Sequence, residues 1–131
     1  MYSLKVQGSF SSAHNLREYK GKCEDLHGHN WIVEMIVRSD RLDKIGMVLD
    51  FKYLKKELNA VLDKLDHKYL NQLAFFKQVN PTSENIAKYI YDQLKPAVPQ
   101  ISSVTIWENA TSSATYAPSP SKGSKNRGVA G

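Results

Sequence analysis

Apolar and polar residues alternate in two stretches of the chain, one near the N-terminus and one over residues 27–37. In the first stretch Leu4, Val6 and Phe10 fall on one side, and polar residues occupy the other side. A period of two is typical of a β-strand with one buried face, and its continuation places His14 on the face of Phe10. In the second stretch one parity holds two histidines followed by large apolar residues: His27, His29, Trp31, Val33, Met35 and Val37. The pattern therefore predicts two strands that each carry histidine on the apolar face.

Two amphipathic helices are predicted downstream. Apolar residues recur at spacings of three and four over residues 51–65, directly after Asp50, a residue type that favours the N-cap. A proline, hydroxyl residues and an early acid within residues 80–84 mark the start of a second helix, and its apolar stripe runs over residues 86–94. Residues 68–80 have no clear period, so we expect irregular structure there.

Two further strands are predicted after the second helix. Apolar residues and Glu108 share one parity over residues 104–108, and residues 112–117 form the last strand. The order β-β-α-α-β-β predicts an α+β fold with one four-stranded antiparallel sheet and two helices on one face. The other face must then be polar or buried in an oligomer. A tryptophan on that face, Trp31 or Trp107, would favour the oligomer.

Composition predicts a single domain at residues 1–117 and a disordered basic tail at 118–131. The tail holds three basic residues and no acid, and it supplies much of the net charge of +5, so we expect no nucleic-acid partner. No apolar run approaches the ~20 residues that a membrane helix needs, so we expect no membrane partner. The N-terminus lacks the pattern of a secretory signal, and a single cysteine suits a reducing compartment. These features predict a cytoplasmic protein.

The histidines of the first two strands are candidate metal ligands. His14, His27 and His29 would converge on one ion if the two strands are neighbours, and zinc is commonly held by three histidines with one open position. Copper, nickel or iron would suit the same imidazoles. Cys23 lies four residues before His27. It is either a fourth ligand that closes the site or a thiolate that acts as a base.

Two other features are compatible with catalysis. Asp66 and His67 follow the first predicted helix, and they are either a helix-end pair or a proton relay. Glu108 is the one charged residue on an otherwise apolar strand face. It is either exposed at the end of the sheet or a carboxylate that accepts two parallel hydrogen bonds from a ligand such as an aminopyrimidine.

Four ordered motifs carry a family resemblance over residues 2–117. They are CEDLHGHN, LDHKYLN, NPTSEN and VTIWENATSSATY, and together they hold all four histidines. The sequence resembles the 6-pyruvoyl-tetrahydropterin synthase family, and most of all its bacterial branch, the 6-carboxy-5,6,7,8-tetrahydropterin synthases of queuosine biosynthesis. The resemblance implies the tunnelling fold and a homo-hexamer built as a dimer of trimers, with active sites between subunits.

The resemblance also implies a reaction and a role for each site residue. The substrate would be 7,8-dihydroneopterin triphosphate, and the products would be 6-carboxytetrahydropterin, acetaldehyde and triphosphate. A Zn²⁺ ion would be bound by three histidines, and Cys23 would be the general base. Asp66 and His67 would form a proton relay. Glu108, Thr82 and Ser83 would bind the pterin ring. The triphosphate would require cationic side chains. Arg17, Lys20 and Lys22 are candidates by their position in the sequence alone, and we do not assign them.

Glu24 keeps a second activity open. Some members of the family use a glutamate near this position to form 6-hydroxymethyl-dihydropterin for folate, and members with both Cys and Glu before HGH are proposed to do both. Glu24 is therefore either a substrate-contacting residue of a second activity or an exposed loop acid. Formation of 6-pyruvoyl-tetrahydropterin is a further alternative.

Overall fold

A computed structural model describes residues 1–21 and 24–120 of the chain. The strands within this part are β1 (Tyr2–His14), β2 (His27–Ser39), β3 (Lys68–Tyr69), β4 (Ile101–Asn109) and β5 (Ser112–Tyr116). The helices are α1 (Phe51–Asp63), α2 (Ala74–Gln78) and α3 (Ser83–Leu94), and a 3₁₀ turn spans Leu70–Gln72. None of these helices is long and apolar enough to cross a membrane.

The strands form one sheet in the order β3-β1-β2-β4-β5. The β1–β2, β2–β4 and β4–β5 pairs are antiparallel, whereas β3 lies parallel to β1 and pairs only with Ser12 and Ala13. The predicted α+β class is confirmed, but the four-stranded sheet with two helices is wrong in detail. The described chain has five strands and three helices.

The differences fall in the segment that we expected to be irregular. Residues 68–80 contain β3, the 3₁₀ turn and α2, which have two, three and five residues. Elements this short do not complete enough periods to be recognised from a pattern of apolar residues. Helix α1 also ends at Asp63 rather than at 65, although Leu65 is buried.

The two long helices begin at the predicted caps. The Asp50 carboxylate accepts a hydrogen bond from Lys52 N at 2.8 Å, and the Thr82 hydroxyl accepts one from Asn85 N at 3.1 Å. Each helix packs its apolar stripe on the same face of the sheet. The buried residues of the two stripes are Leu54, Leu58, Val61, Leu62, Ile86, Ala87, Ile90, Tyr91 and Leu94.

The opposite face of the sheet carries no helix in the described part of the chain and is mostly polar. Trp107 lies on this face, and its indole Nε1 donates to Glu34 Oε1 at 3.1 Å, whereas Trp31 is fully buried under the helices. Glu34 also accepts a hydrogen bond from Gln7 and lies 3.6 Å from Lys5 Nζ. Burial raises the pKa of Glu34, but these contacts outweigh burial and lower the pKa below its ordinary value. The carboxylate is therefore held ionised on the face of the sheet that carries no helix within the described residues.

The end of the domain remains a prediction. Residues 117–120 follow β5 without regular secondary structure, and residues 121–131 lie outside the part that the structure describes.

Close contact between β1 and α1 predicts that Gly8 cannot be enlarged without cost. A Cβ at position 8 would lie 2.8 Å from Leu62 Cδ1 and 3.0 Å from Asn59 Oδ1. We expect Gly8→Ala to lower the free energy of unfolding by about 1–3 kcal/mol, because the helix must move away from the sheet. Chemical denaturation of the metal-free protein measures this change.

Gly28→Ala is the matched control for that substitution. A Cβ there would meet only Ser12 O, at 3.9 Å, so we expect a change below about 0.5 kcal/mol. Equal effects at the two positions would show that helix–sheet contact is not what requires Gly8.

Candidate metal centre and its cavity

The pairing of β1 with β2 brings three imidazoles together. His14 is the last residue of β1 and lies directly opposite His27, the first residue of β2, while Ser12 lies opposite His29. Residues opposite each other, or two apart on one strand, share a face of the sheet. The ring centroids are 4.6 Å apart for His14–His27, 5.3 Å for His14–His29 and 4.8 Å for His27–His29.

The imidazole nitrogens are arranged as metal ligands. His14 Nδ1 lies 2.7 Å from the Pro81 carbonyl oxygen, and His27 Nδ1 lies 2.9 Å from the Asp25 carbonyl oxygen. A carbonyl only accepts, so both rings carry their proton on Nδ1 and leave the Nε2 lone pair for an ion. Within the described part of the chain, His14 Nε2 and His29 Nε2 are buried without a hydrogen-bond partner. Buried polar atoms of this kind are costly, and a metal ion would satisfy them.

Glu108 completes the group. Its Oε1 lies 3.4 Å from His29 Nε2 and 3.5 Å from His14 Nε2. One donor atom from each of the three histidines and Glu108 lies within 4.8 Å of the others. The residues therefore fit a divalent cation held by nitrogen and oxygen. From the sequence, Glu108 was expected to act in catalysis and in substrate binding and not as a metal ligand, although its parity on β4 already put it on the face of the histidines.

Trp31 forms the floor of the group. The centroid of its ring lies 4.9 Å from that of His14 and 5.0 Å from that of His29, edge to face with both rings. The Trp31 side chain is fully buried. Burial is the largest cause that lowers the pKa of His14 below its usual value, and the hydrogen bond to Pro81 acts against it. The neutral imidazole that results is the form that binds metals.

The group opens into a cavity of about 420 Å³. Its walls include Glu24, Thr82 and Ser83, which are three of the predicted substrate-contacting residues. Thr82 and Ser83 lie at the N-terminus of α3, where backbone N–H groups and hydroxyls are available to a polar ligand. Tyr19 and Glu84 also line the cavity and were not predicted, because neither has a distinctive sequence pattern.

One of the two roles considered for Glu24 from the sequence was that of an exposed loop acid. The structure instead places Glu24, which is partly buried, in contact with neighbouring residues. Its Oε1 accepts a hydrogen bond from Leu16 N at 3.1 Å and lies 3.7 Å from His27 Nδ1. Glu24 N donates to Leu16 O at 2.9 Å, so the residue ties its loop to the segment that follows His14. Cys23, the predicted base, and Lys22 lie outside the described residues.

Asp66 and His67 form a pair beside β1. Asp66 Oδ1 accepts from Ser11 N at 2.8 Å, and this bond is the main reason that the pKa of Asp66 is lowered. His67 Nδ1 lies 2.9 Å from Asp66 Oδ2, and His67 has a left-handed backbone with φ of 56°. The His67 side chain is 84% exposed, and neither residue lines the cavity just described. The structure thus forms the predicted pair but does not bring it to the metal group of the same chain.

Arg17 is already engaged by the fold. Its Nη2 donates to the Phe76 carbonyl at 2.6 Å and to the Val79 carbonyl at 2.8 Å. The guanidinium therefore anchors the end of α2, which argues against Arg17 as a triphosphate ligand.

Comparison with known proteins agrees with the fold. The family model of 6-pyruvoyl tetrahydropterin synthase matches residues 3–119. A 6-carboxy-5,6,7,8-tetrahydropterin synthase of Synechocystis sp. is 41% identical over 122 residues, which cover 88% of this chain and 93% of the relative. The structure of Caenorhabditis elegans 6-pyruvoyl tetrahydropterin synthase superposes with a TM-score of 0.79 at 34% identity, over 90% of this chain and 96% of that one.

Structures from Plasmodium vivax add one detail. A 6-pyruvoyltetrahydropterin synthase of that organism superposes with a TM-score of 0.74 at 25% identity, over 91% of this chain and 98% of that one. Two of its structures are of variants in which a glutamate, described as a catalytic residue, is replaced by cysteine or by alanine.

The fold, the site and these similarities define an enzyme of the tetrahydropterin synthase class, a lyase. The chain belongs to the 6-pyruvoyl tetrahydropterin synthase family, which confirms the resemblance seen in its motifs.

Proposed function

We propose that this enzyme converts 7,8-dihydroneopterin triphosphate to 6-carboxy-5,6,7,8-tetrahydropterin in queuosine biosynthesis, with Zn²⁺ as cofactor and with release of acetaldehyde and triphosphate. The observation that carries the proposal is the meeting of three imidazoles and one carboxylate at a cavity, in a chain of this family. The named activity of the Synechocystis relative supports the choice of product. We place the reaction in the cytoplasm, where a single cysteine stays reduced.

The metal ligands in this proposal are His14, His27 and His29. A Zn²⁺ ion held by them would supply Lewis acidity to the hydroxyls of the substrate side chain and so make the neighbouring protons easier to remove. The buried Nε2 atoms of His14 and His29, which lack a hydrogen-bond partner within the described residues, are suited to hold it. Cys23, as a thiolate, would accept a proton from the side chain of the substrate.

Glu108 orients the pterin ring in this proposal. A carboxylate accepts two parallel hydrogen bonds from an aminopyrimidine edge, as it does from a guanidinium. Thr82 and Ser83, on the wall of the same cavity, would hold the rest of the ring. Fixing the ring in this way sets the side chain of the substrate against the three imidazoles, which is the positioning that proton transfer requires.

Asp66 and His67 are proposed to act on the cavity of a neighbouring subunit. Asp66 orients the His67 imidazole through Nδ1, and the ring is exposed at the edge of the sheet, away from the cavity of its own chain. Within the described residues, the edge of β1 that faces away from β2 has no partner strand from Tyr2 to Phe10, and the outer edge of β5 has none. Open edges of this kind favour pairing between subunits, in line with a hexamer built as a dimer of trimers.

Glu24 is the basis of an alternative. Its carboxylate lies on the cavity wall, and a glutamate is the residue described as catalytic in the Plasmodium vivax relative. The alternative is formation of 6-hydroxymethyl-dihydropterin, alone or as a second activity. Formation of 6-pyruvoyl-tetrahydropterin, which the Caenorhabditis elegans relative is named for, is the other candidate.

Product analysis of the zinc-loaded enzyme tests the proposal. With 7,8-dihydroneopterin triphosphate we expect acetaldehyde and 6-carboxytetrahydropterin, measured by chromatography. Cys23→Ala should lower the rate by about 100-fold or more, because the base is lost while the metal ligands remain. Release of acetaldehyde at an unchanged rate by Cys23→Ala would contradict the assignment of the base, and formation of 6-pyruvoyl-tetrahydropterin instead would overturn the proposed reaction.

The same assay decides the role of Glu24. Glu24→Gln should abolish any 6-hydroxymethyl-dihydropterin that the enzyme forms, whereas Asp25→Asn, an exposed neighbour with the same loss of charge, should not. If the wild type forms no 6-hydroxymethyl-dihydropterin, the alternative is excluded.

Mixed oligomers test whether the relay acts between subunits. Cys23→Ala and His67→Ala should each be nearly inactive. In the proposed assembly, one half of a site contains Cys23 of one subunit and the other half contains His67 of its neighbour. Refolding the two variants together should therefore restore about a quarter of wild-type activity, because random mixing leaves both halves intact at about one site in four. Joint refolding of Cys23→Ala with His14→Ala is the control, because both changes fall in the same half of a site. Lack of recovery in the first mixture, with mixed oligomers present by mass spectrometry, would place the relay within one chain.

A further inference from the structure

We propose that Asn80 is a positioning residue that fixes the metal ligand His14 in one tautomer and one orientation, acting through the carbonyl group of Pro81. The inference rests on the proposed metal centre and extends it beyond the ligands. It concerns the segment between α2 and α3, which the sequence marked only as the start of a helix.

The Asn80 side chain takes the place of a paired strand. Its Oδ1 accepts a hydrogen bond from Arg17 N at 2.8 Å, and its Nδ2 donates to Arg17 O at 2.9 Å. A neighbouring strand makes the same two bonds to a residue in an antiparallel pair. Arg17 follows His14 by three residues, so this bracket joins the chain beyond the metal ligand to the chain before α3.

The main chain of Asn80 is held as firmly as its side chain. The Asn80 carbonyl accepts from Thr82 N and from Asn85 Nδ2, both at 2.9 Å. The Arg17 guanidinium holds the preceding Val79 carbonyl at 2.8 Å. Pro81, which lies between these contacts, is buried and has a fixed φ. Its carbonyl oxygen therefore has little freedom to move.

This carbonyl determines what His14 can do. His14 Nδ1 lies 2.7 Å from the Pro81 oxygen, which can only accept a hydrogen bond. The ring must then carry its proton on Nδ1, and Nε2 faces the metal group with a free lone pair. Because Thr82 and Ser83 follow Pro81 directly and line the cavity, the segment held by Asn80 also sets the distance between the metal and the substrate wall.

Asn71 provides a matched control, because its side chain anchors the same loop that follows His14. Its Oδ1 accepts from Asn15 N at 3.0 Å, and its Nδ2 donates to Asn15 O at 2.8 Å, so it makes the same pair of bonds one residue after His14. Within the described residues, the hydrogen bonds of the Asn71 side chain go to Asn15 and not to the Pro81 carbonyl. If anchoring of this loop were all that mattered, loss of Asn71 would disturb His14 at least as much as loss of Asn80.

The experiment compares Asn80→Ala with Asn71→Ala in the full chain. Zinc affinity is measured by competition with a chelator, and the His14 tautomer is read from side-chain ¹⁵N shifts of the metal-free protein at mildly alkaline pH. We expect Asn80→Ala to lower zinc affinity by about tenfold and Asn71→Ala by less than about twofold, with similar losses in melting temperature. The wild type should show His14 protonated on Nδ1, and Asn80→Ala should show a mixture of tautomers.

Three results would overturn the inference: a wild-type His14 protonated on Nε2, an unchanged zinc affinity in Asn80→Ala, or an equal loss in Asn71→Ala. If Asn80→Ala does not fold, Asn80→Asp keeps the acceptor for Arg17 N, loses the donor to Arg17 O, and should show the same mixture of tautomers. This experiment uses no pterin. Absence of turnover in the product assay would therefore contradict the proposed function without affecting this inference. A wild type that binds no zinc would remove the metal centre, and the tautomer would still show whether Pro81 orients His14.

Discussion

The antiparallel register of β1 and β2 is the constraint on which the whole site depends. It places His14 opposite His27 and, in the same ladder, Phe10 opposite Trp31 and Val6 opposite Met35. A slip of one residue would turn every side chain of a strand to the other face, so it would expose the apolar residues as well as separate the imidazoles. Burial of the apolar ladder under α1 and α3 therefore secures the metal ligands too.

The register also explains why the site costs stability until it is filled. His14 and His29 present buried nitrogen atoms without hydrogen-bond partners within the described residues, and only the carboxylate of Glu108 faces them. Such groups are unfavourable in a protein interior, and a bound cation would offset that cost. The same fold leaves Asp66 and His67 at an open edge of the sheet. Assembly thus becomes part of the proposed chemistry.

The sequence predicted what depends on long periodic patterns. The face shared by His27, His29 and Trp31 followed from alternation along β2, and both long helices began at their predicted caps. Short elements such as β3 and α2 were missed, because two to five residues show no period. Contacts between segments that are distant in sequence could not be predicted either. Nothing in the sequence links Asn80 to Arg17 or Glu24 to Leu16, because these hydrogen bonds exist only once the sheet has formed.

In the proposed site, three histidines hold the ion and leave Cys23 free to act as a base. Zinc K-edge X-ray absorption of the loaded, substrate-free enzyme tests it most directly. We expect three imidazole nitrogens at about 2.0–2.1 Å with the remaining ligands all oxygen. A sulfur atom at about 2.3 Å, or fewer than three imidazoles, would contradict it.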